Sequence, residues 1–278
     1  LASLKTLLNY NIIISYMRTV EIVCLGNELL IGKTVNTNSN EISKFFTING
    51  FDVIRVTTIK DQKNVGVNLL REIYERRPDI VCITGGLGPT YDDIQLEIVS
   101  ESINKRLIIN DIALRMIQQK YKFMNESREK MAYLPEGSIA LNNDIGTAPG
   151  AYTVFNDIDI ISLPGVPKEM RYILKSEVLK ILNDKYPARD VLTEMGIDIK
   201  GVRESDIAEL TIRMKNKYPK FYFKSHPRVS DGETVLSLHV YGVTKHENDV
   251  VLVINDWLEI INNEFEITEL TKIKKMLK

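Results

Sequence analysis

Three short apolar runs, each leading through a turn into a segment of helical spacing, constrain this chain more than anything else in it. They are TVEIVCL (Thr19 to Leu25), DVIRVTTI (Asp52 to Ile59) and DIVCI (Asp79 to Ile83). The first and third are apolar almost throughout, as in strands buried on both faces of a parallel sheet. Between the first two runs, Ile42, Phe45 and Phe46 recur at helical spacing until Asn49-Gly50 ends the segment. Between the second and third, Val65, Leu69 and Ile73 mark a helix that stops before Pro78. After the third, Leu96, Val99 and Ile103 share one helical face. This alternation predicts an α/β fold, a mostly parallel sheet with helices on both sides. Ligands of such sheets sit beyond the C-terminal strand ends. The loops that leave Leu25 and Ile83 should therefore face one crevice.

Further along, a helical segment from Asp111 to Tyr121 precedes NESREKMAYLPEGS, which reads as loop and surface turn. SIAL, GAYTVF and DIDIISL read as strands, the last two joined by an Asn156-Asp157 hairpin turn. LPGVPKEM is a second strand-to-helix turn, with Pro167 suited to a first helical position. KYPARD looks like a linker. The expected organisation is an N-terminal extension over 1–16, a domain over 17–185, a small α+β domain over 190–265 in β-α-β-β-α order, and a tail over 266–278.

The chain has 278 residues, 44% of them hydrophobic, and a formal net charge of −1. That is enough for a sizeable core and gives no general attraction to nucleic acid or acidic membrane. No apolar run is long enough to cross a bilayer. Cys24 and Cys82 both fall in expected strands, so they read as packing residues in a reducing, cytoplasmic setting. His226, His239 and His246 lack metal-ligand spacing.

The stretch that carries chemistry is TGGLGPTYDD, Thr84 to Asp93. Gly85, Gly86 and Gly88 put no Cβ between the backbone N–H groups and an anion. Asp92 and Asp93 are expected to open the next helix, where they either cap it or hold a divalent cation. The turn suits a phosphate, a metal, or both.

GNELLIGKTVNTNS, TGGLGPTYDD, LNNDIGTAPG and LPGVPKEM, in this order, resemble the CinA family. More distantly they resemble the molybdopterin-binding domain of MoaB- and MogA-like proteins. The resemblance is strong from Met17 to about Asn183 and weaker over the small domain, whose strand order is similar to a KH-like unit. It implies a three-layer α/β/α domain that cleaves the pyrophosphate of ADP-ribose-like dinucleotides with a divalent metal, magnesium or similar. A monovalent cation beside that metal is an open alternative. The small domain is expected to make the protein a homodimer or to cover the crevice. Longer members add a C-terminal amidase domain acting on nicotinamide mononucleotide. This chain is expected to lack that domain and not to be a deamidase by itself. Two positions depart from the family pattern: Asn27 stands where an acidic residue is usual, and Gln95 where a threonine is usual. Both would weaken a metal site built from those groups.

On the resemblance, Asp92, Asp93 and Glu28 are the catalytic and metal-binding candidates, and Lys130 in REKMAYLPEG balances phosphate charge. Plain alternatives stand beside each: capping for the aspartates, a solvated loop charge for Glu28, a surface lysine for Lys130. Asn36, Thr37 and Asn38 either bond ribose or base, or cap a helix. Gly26, Asn27, Thr84, Leu87 and Thr90 complete the two turns. Asn142, Gly146, Thr147, Pro149 and Gly150 form a small-residue loop, and Gly165 opens another helix N-terminus. Glu169 binds a hydroxyl or complements that helix dipole. Two further readings stay open: a molybdopterin-binding or adenylating protein, and a non-catalytic nucleotide-binding module. Nucleic acid is not expected, because residues 190–278 hold 13 Lys/Arg against 15 Asp/Glu and no GxxG clamp.

Overall fold

The computed structural model of the chain describes residues 17–187, 191–230, 233–244, 247–270 and 274–275. The 1–16 extension lies outside the described residues, as do 188–190 of the expected linker, His246 and much of the tail. The chain divides into two compact units.

The first unit begins with β1 (Arg18–Leu25), α1 (Asn27–Leu30), α2 (Thr37–Ile48), β2 (Phe51–Ile59), α3 (Lys63–Arg76), β3 (Ile80–Thr84) and α4 (Gln95–Ser102). It continues with β4 (Leu107–Ile109), α5 (Asp111–Gln118), α6 (Glu126–Lys130), β5 (Tyr133–Pro135), β6 (Ile139–Leu141), β7 (Gly150–Phe155) and β8 (Ile158–Leu163). A helical arm closes it: α7 (Pro167–Ile173), a π turn over Leu174–Val178, and α8 (Leu179–Lys185). The sheet order is β2-β1-β3-β8-β7-β6. β2, β1, β3 and β8 run parallel, and β8, β7 and β6 meet antiparallel. This is the mostly parallel α/β architecture that the alternation of runs predicts.

Strand alternation sorts the core into two layers. Val20, Ile22 and Cys24 face α2 and the closing arm, in a cluster with Phe46, Ile173 and Val178. Val23 and Leu25 face α3 and α4, with Leu70, Ile73, Ile98 and Val99. The buried face of α3 is Gly66, Val67, Leu70 and Ile73, offset from the expected one, and Val65 is exposed. Gly66 explains the offset. A Cβ there would lie 2.6 Å from Ile98 Cδ1, so its absence lets α3 seat against α4.

Two local expectations are corrected. Helix α4 opens at Gln95, not at Asp92, and Ile94 at its N-cap makes no side-chain cap. Residues 125–135 are not all loop: Asn125 caps α6 by accepting the Arg128 N–H, and β5 pairs with β4.

Away from the strand C-termini, Asp159 is fully buried. It accepts the hydroxyls of Tyr152 at 2.8 Å and Tyr186 at 2.9 Å, and pairs with Lys185 at 2.5 Å. Burial, then the Asp159 carboxylate, pushes the Tyr152 and Tyr186 phenols well above their usual range. Burial does the same to Tyr74. In the folded protein these phenols keep their protons where the unfolded chain, near pH 10, loses them. The unfolded state then binds fewer protons, so stability should fall as pH rises. Urea unfolding from pH 8 to 11 should show midpoints that drop steadily above about pH 10. A flat profile would contradict the burial of these phenols.

The second unit holds β9 (Val191–Lys200), α9 (Ala208–Lys217), β10 (Phe221–Ser230), β11 (Glu233–Thr244) and α10 (Glu247–Glu264), then the short β12 (Glu269–Leu270) and β13 (Lys274–Lys275). Its sheet is antiparallel throughout, in the order β10-β11-β9-β12, with β13 also on β9. Trp257 is fully buried in its core, edge-on to Phe223 at 5.2 Å. His239 pairs with Glu194 at 2.9 Å. Among the described residues, no helix is long and apolar enough to cross a membrane.

Candidate functional site

The loops after β1, β2, β3 and β8 close around a cavity of about 290 Å³ at the C-terminal ends of the parallel strands. From the first loop come Gly26, Glu28, Thr34, Val35 and the Asn36–Asn38 run. From the glycine turn come Thr84, Gly85, Gly86, Thr90, Asp92 and Asp93, and from the last loop Gly165 and Pro167. The β2 loop adds Asp61, which the sequence reading did not single out.

The turn is held by main chain and by one side chain. Gly85 has φ +97°, and a Cβ on it would lie 2.2 Å from the Leu25 carbonyl oxygen. Gly165 approaches from the other side, where a Cβ would lie 3.3 Å from Gly85 Cα. Only glycine fits these two facing positions without moving backbone. Gln95 is fully buried. Its Nε2 donates to Gly85 O and to Leu163 O, and its backbone N–H to Gly86 O. Gln95 thus braces the turn from beneath and does not stand in the cavity as a lost metal ligand. Asn27 is also off the lining; its backbone N–H donates to Asp61 Oδ2 at 2.9 Å.

Asn38 joins three of the motifs. Its Nδ2 donates to Thr84 Oγ1 at 3.1 Å and to Gly165 O at 2.8 Å, while its Oδ1 is buried without a partner. Thr84 Oγ1 in turn donates to Pro164 O at 2.9 Å. Asn36 takes the capping role, accepting the Ser39 N–H at 3.1 Å, and Thr37 opens α2.

The cavity is acidic. Glu28, Asp61, Asp92 and Asp93 line it, and among the described residues no lysine or arginine does. Thr90 organises the aspartate pair: its hydroxyl lies between Asp92 Oδ1 and Asp93 Oδ2, 2.6 Å from the latter, with one proton to share between the two carboxylates. The Thr90 N–H also donates to Asp93 Oδ2, at 2.8 Å. Asp93 therefore folds back onto the turn and caps no helix. Asp92 is the exposed member, and the Thr90 hydroxyl holds its carboxyl below the usual carboxylate range. Burial pushes Asp61 up; the Asn27 N–H opposes that, and the charges of Glu28 and Asp92 add to it.

The remaining predicted residues lie elsewhere. Leu87 is buried in a satellite core with Ala113, Ile117 and Leu134. Lys130 lines an adjoining cavity of about 170 Å³ that shares Gly86 and Asp93 and also holds Leu87 and Gly88. Its Nζ donates to Thr90 O at 2.8 Å and stands 3.9 Å from Glu97. Asn142, Gly146, Thr147, Pro149, Gly150 and Glu169 are not on the main cavity. Their loop is closed on itself. Asn143 bonds Glu169 at 2.6 Å, Asn142 bonds Asp144 at 2.8 Å, and Lys120 donates to the carbonyls of Asn143 and Gly146. A Cβ on Gly146 would overlap Glu169, so that glycine serves the packing of the loop. Pro149 and Gly150 are buried where β7 begins.

The donors around the main cavity are all oxygens, the type that hard divalent cations take. Among the described residues, no three His, Cys, Asp or Glu side chains converge into a ready-made metal cage.

A mostly parallel sheet with a glycine turn and a carboxylate-lined cavity at its C-terminal edge defines the class of α/β domain to which residues 18–185 conform. Residues 21–184 match the family described as probable molybdopterin binding domain, and the chain belongs to that family. It is 36% identical to CinA of Thermoplasma acidophilum, whose crystal structure was described as of unknown function. That likeness covers 59% of this chain and 98% of the other, with a TM-score of 0.57. A protein of Sulfurisphaera tokodaii is 38% identical over 235 residues, 83% of this chain and 88% of its own length. One from Saccharolobus islandicus is 38% identical over 261 residues, 92% of this chain and 95% of its own length.

Proposed function

We propose that the cavity binds the diphosphate of a nucleotide of the ADP-ribose type together with a divalent cation, and that the protein hydrolyses the pyrophosphate bond. One observation carries this reading: among the described residues, four carboxylates and no basic side chain line a cavity built on a glycine turn. Such a lining repels a bare phosphate and admits one that arrives with its counter-cation. Asp92 and Glu28 would hold the cation. Bound there, it supplies charge neutralisation on the phosphoryl oxygens.

The chain's own groups do the rest. The N–H of Gly85 is taken by Leu163 O at 3.2 Å, whereas no acceptor among the described residues takes that of Gly86. The Gly86 N–H is thus free to bond a phosphoryl oxygen. Asn38, whose Nδ2 bridges Thr84 and Gly165, ties together the loops that would frame the ligand. Asp61, with its proton affinity raised, is the group placed to take a proton from attacking water. Lys130, one layer behind, fixes Thr90 and offsets the negative field. A homodimer in a cytoplasmic setting completes the proposal.

The test is incubation of the purified protein with ADP-ribose and magnesium. AMP and ribose 5-phosphate should appear in equal amounts. A folded protein that is inert with several divalent cations would remove the reading. The family match over residues 21–184 favours a second reading, a pterin phosphate of molybdenum-cofactor synthesis. Selective molybdopterin binding with no effect of ADP-ribose would put it first.

A further inference from the structure

We infer that Gln95 is a positioning residue: it aims the Gly86 N–H into the cavity and so sets the capacity of the glycine turn to bind an anion. The inference rests on the diphosphate reading above and adds to it which side chain makes the turn competent.

The turn needs such a residue. Gly85 and Gly86 have φ of +97° and +77°. Two adjacent glycines let a phosphate come close, and they equally let the peptide between them rotate. Rotated by half a turn, that peptide would point the Gly85 carbonyl oxygen, in place of the Gly86 N–H, into a cavity lined by Glu28, Asp61, Asp92 and Asp93. Without side chains, the glycines do not themselves choose between the two orientations.

Gln95 selects one of them. It is fully buried and does not line the cavity. Its Nε2 donates to Gly85 O and, at 3.2 Å, to Leu163 O. Leu163 O also takes the Gly85 N–H, at 3.2 Å, so this amide ties the turn to the end of β8. The backbone N–H of Gln95 donates to Gly86 O at 3.0 Å. The peptides on both sides of Gly86 are thereby held by one residue. The Gly85–Gly86 peptide is trans, so its C=O and N–H point in opposite directions. With the carbonyl bound to a buried amide beneath the turn, the N–H faces the other side, where Gly85 and Gly86 line the cavity. No acceptor among the described residues takes it. The Gln95 side chain has two N–H donors, one for each carbonyl it meets. The threonine usual at this position has a single O–H and could hold only one of them.

The experiment follows the Gly86 amide by NMR in glycine-labelled protein while a methylene-bridged ADP-ribose analogue is added in magnesium. In the wild type the Gly86 amide proton should move downfield on binding, because it gains a charged acceptor. Gln95→Met keeps length and apolar bulk and removes both side-chain donors. It should bind the analogue about 10-fold more weakly, the loss of one aimed hydrogen bond to a charged group, and the Gly86 shift should disappear. A brace that serves only the fold would lower the urea midpoint of Gln95→Met but leave the affinity and the Gly86 shift of the folded protein as in the wild type. That result overturns the inference and leaves the nucleotide reading standing. Wild-type binding without a Gly86 shift also overturns it, and needs no variant. If Gln95→Met does not fold, Gln95→Glu at about pH 5 takes its place, since burial keeps the new carboxyl protonated and neutral there. With one donor for two carbonyls it should bind about 3-fold more weakly than wild type at the same pH, and equal binding overturns the inference. Failure of the wild type to bind the analogue at all removes the nucleotide reading and the positioning role with it.

Discussion

Asp92→Asn is expected to lower the turnover of ADP-ribose by about 100-fold, the usual cost of one lost electrostatic stabiliser of a transition state. Stability should not change. Asp92 is exposed, and the acceptor it offers to the Thr90 hydroxyl and to its own backbone N–H can still be supplied by the carbonyl oxygen of an asparagine. The substitution keeps shape and removes the charge that a cation needs. Asp93→Asn makes the contrast, because the Asp93 carboxylate is also the acceptor for the Thr90 N–H and packs where a Gly88 Cβ would be. It should lose activity and also loosen the turn. Turnover and urea midpoints of the two variants, measured together, separate charge from architecture. Near-wild-type turnover in Asp92→Asn would sink the assignment.

Gly85→Ala should be the most destabilising single-methyl change in the first unit. A non-glycine residue at φ +97° costs about 1 to 3 kcal/mol on its own. The new Cβ would also sit 2.2 Å from a backbone oxygen of β1, so β1 and β3 must separate or the turn must open. A total of about 3 kcal/mol or more is expected, which lowers the thermal midpoint by roughly 10 °C. Gly32→Ala is the control. Gly32 also has positive φ, but nothing lies within 4 Å of a Cβ there, so only the backbone term remains. Equal midpoints for the two variants would show that the close approach of β1 to the turn is wrong.

The parts of this site that periodicity can reach were legible in the sequence. Apolar runs at the right intervals place β1, β3 and their loops at one sheet edge, and the glycines of TGGLGPT announce a backbone without Cβ atoms. What periodicity cannot reach are contacts made by single side chains across the sheet. Asp61 is the clearest case. It follows β2 just as Gly26 follows β1, so the strand-end rule already pointed to it, but one aspartate in KDQ carries no local motif. Gln95 shows the converse: it stands only two residues past Asp93, but as the first residue of α4 it turns under the glycines and away from the cavity. Asp92 and Asp93 looked like helix openers because acidic residues favour that position. The turn through Pro89 and Thr90 delays α4 to Gln95 and gives both carboxylates to Thr90. The 142–150 loop has the small residues of a ligand loop, yet it follows β6, beyond the antiparallel β7, and bonds to Glu169 and Lys120.

On the proposed function, the acidic cavity admits phosphate only in company with a cation. The most direct measurement is calorimetric titration of the methylene-bridged ADP-ribose analogue into wild-type protein, once with magnesium and once with a chelator. Binding is expected in magnesium and none detectable in chelator, because Glu28, Asp61, Asp92 and Asp93 then face the diphosphate without a counter-charge. Equal affinity in both would contradict it.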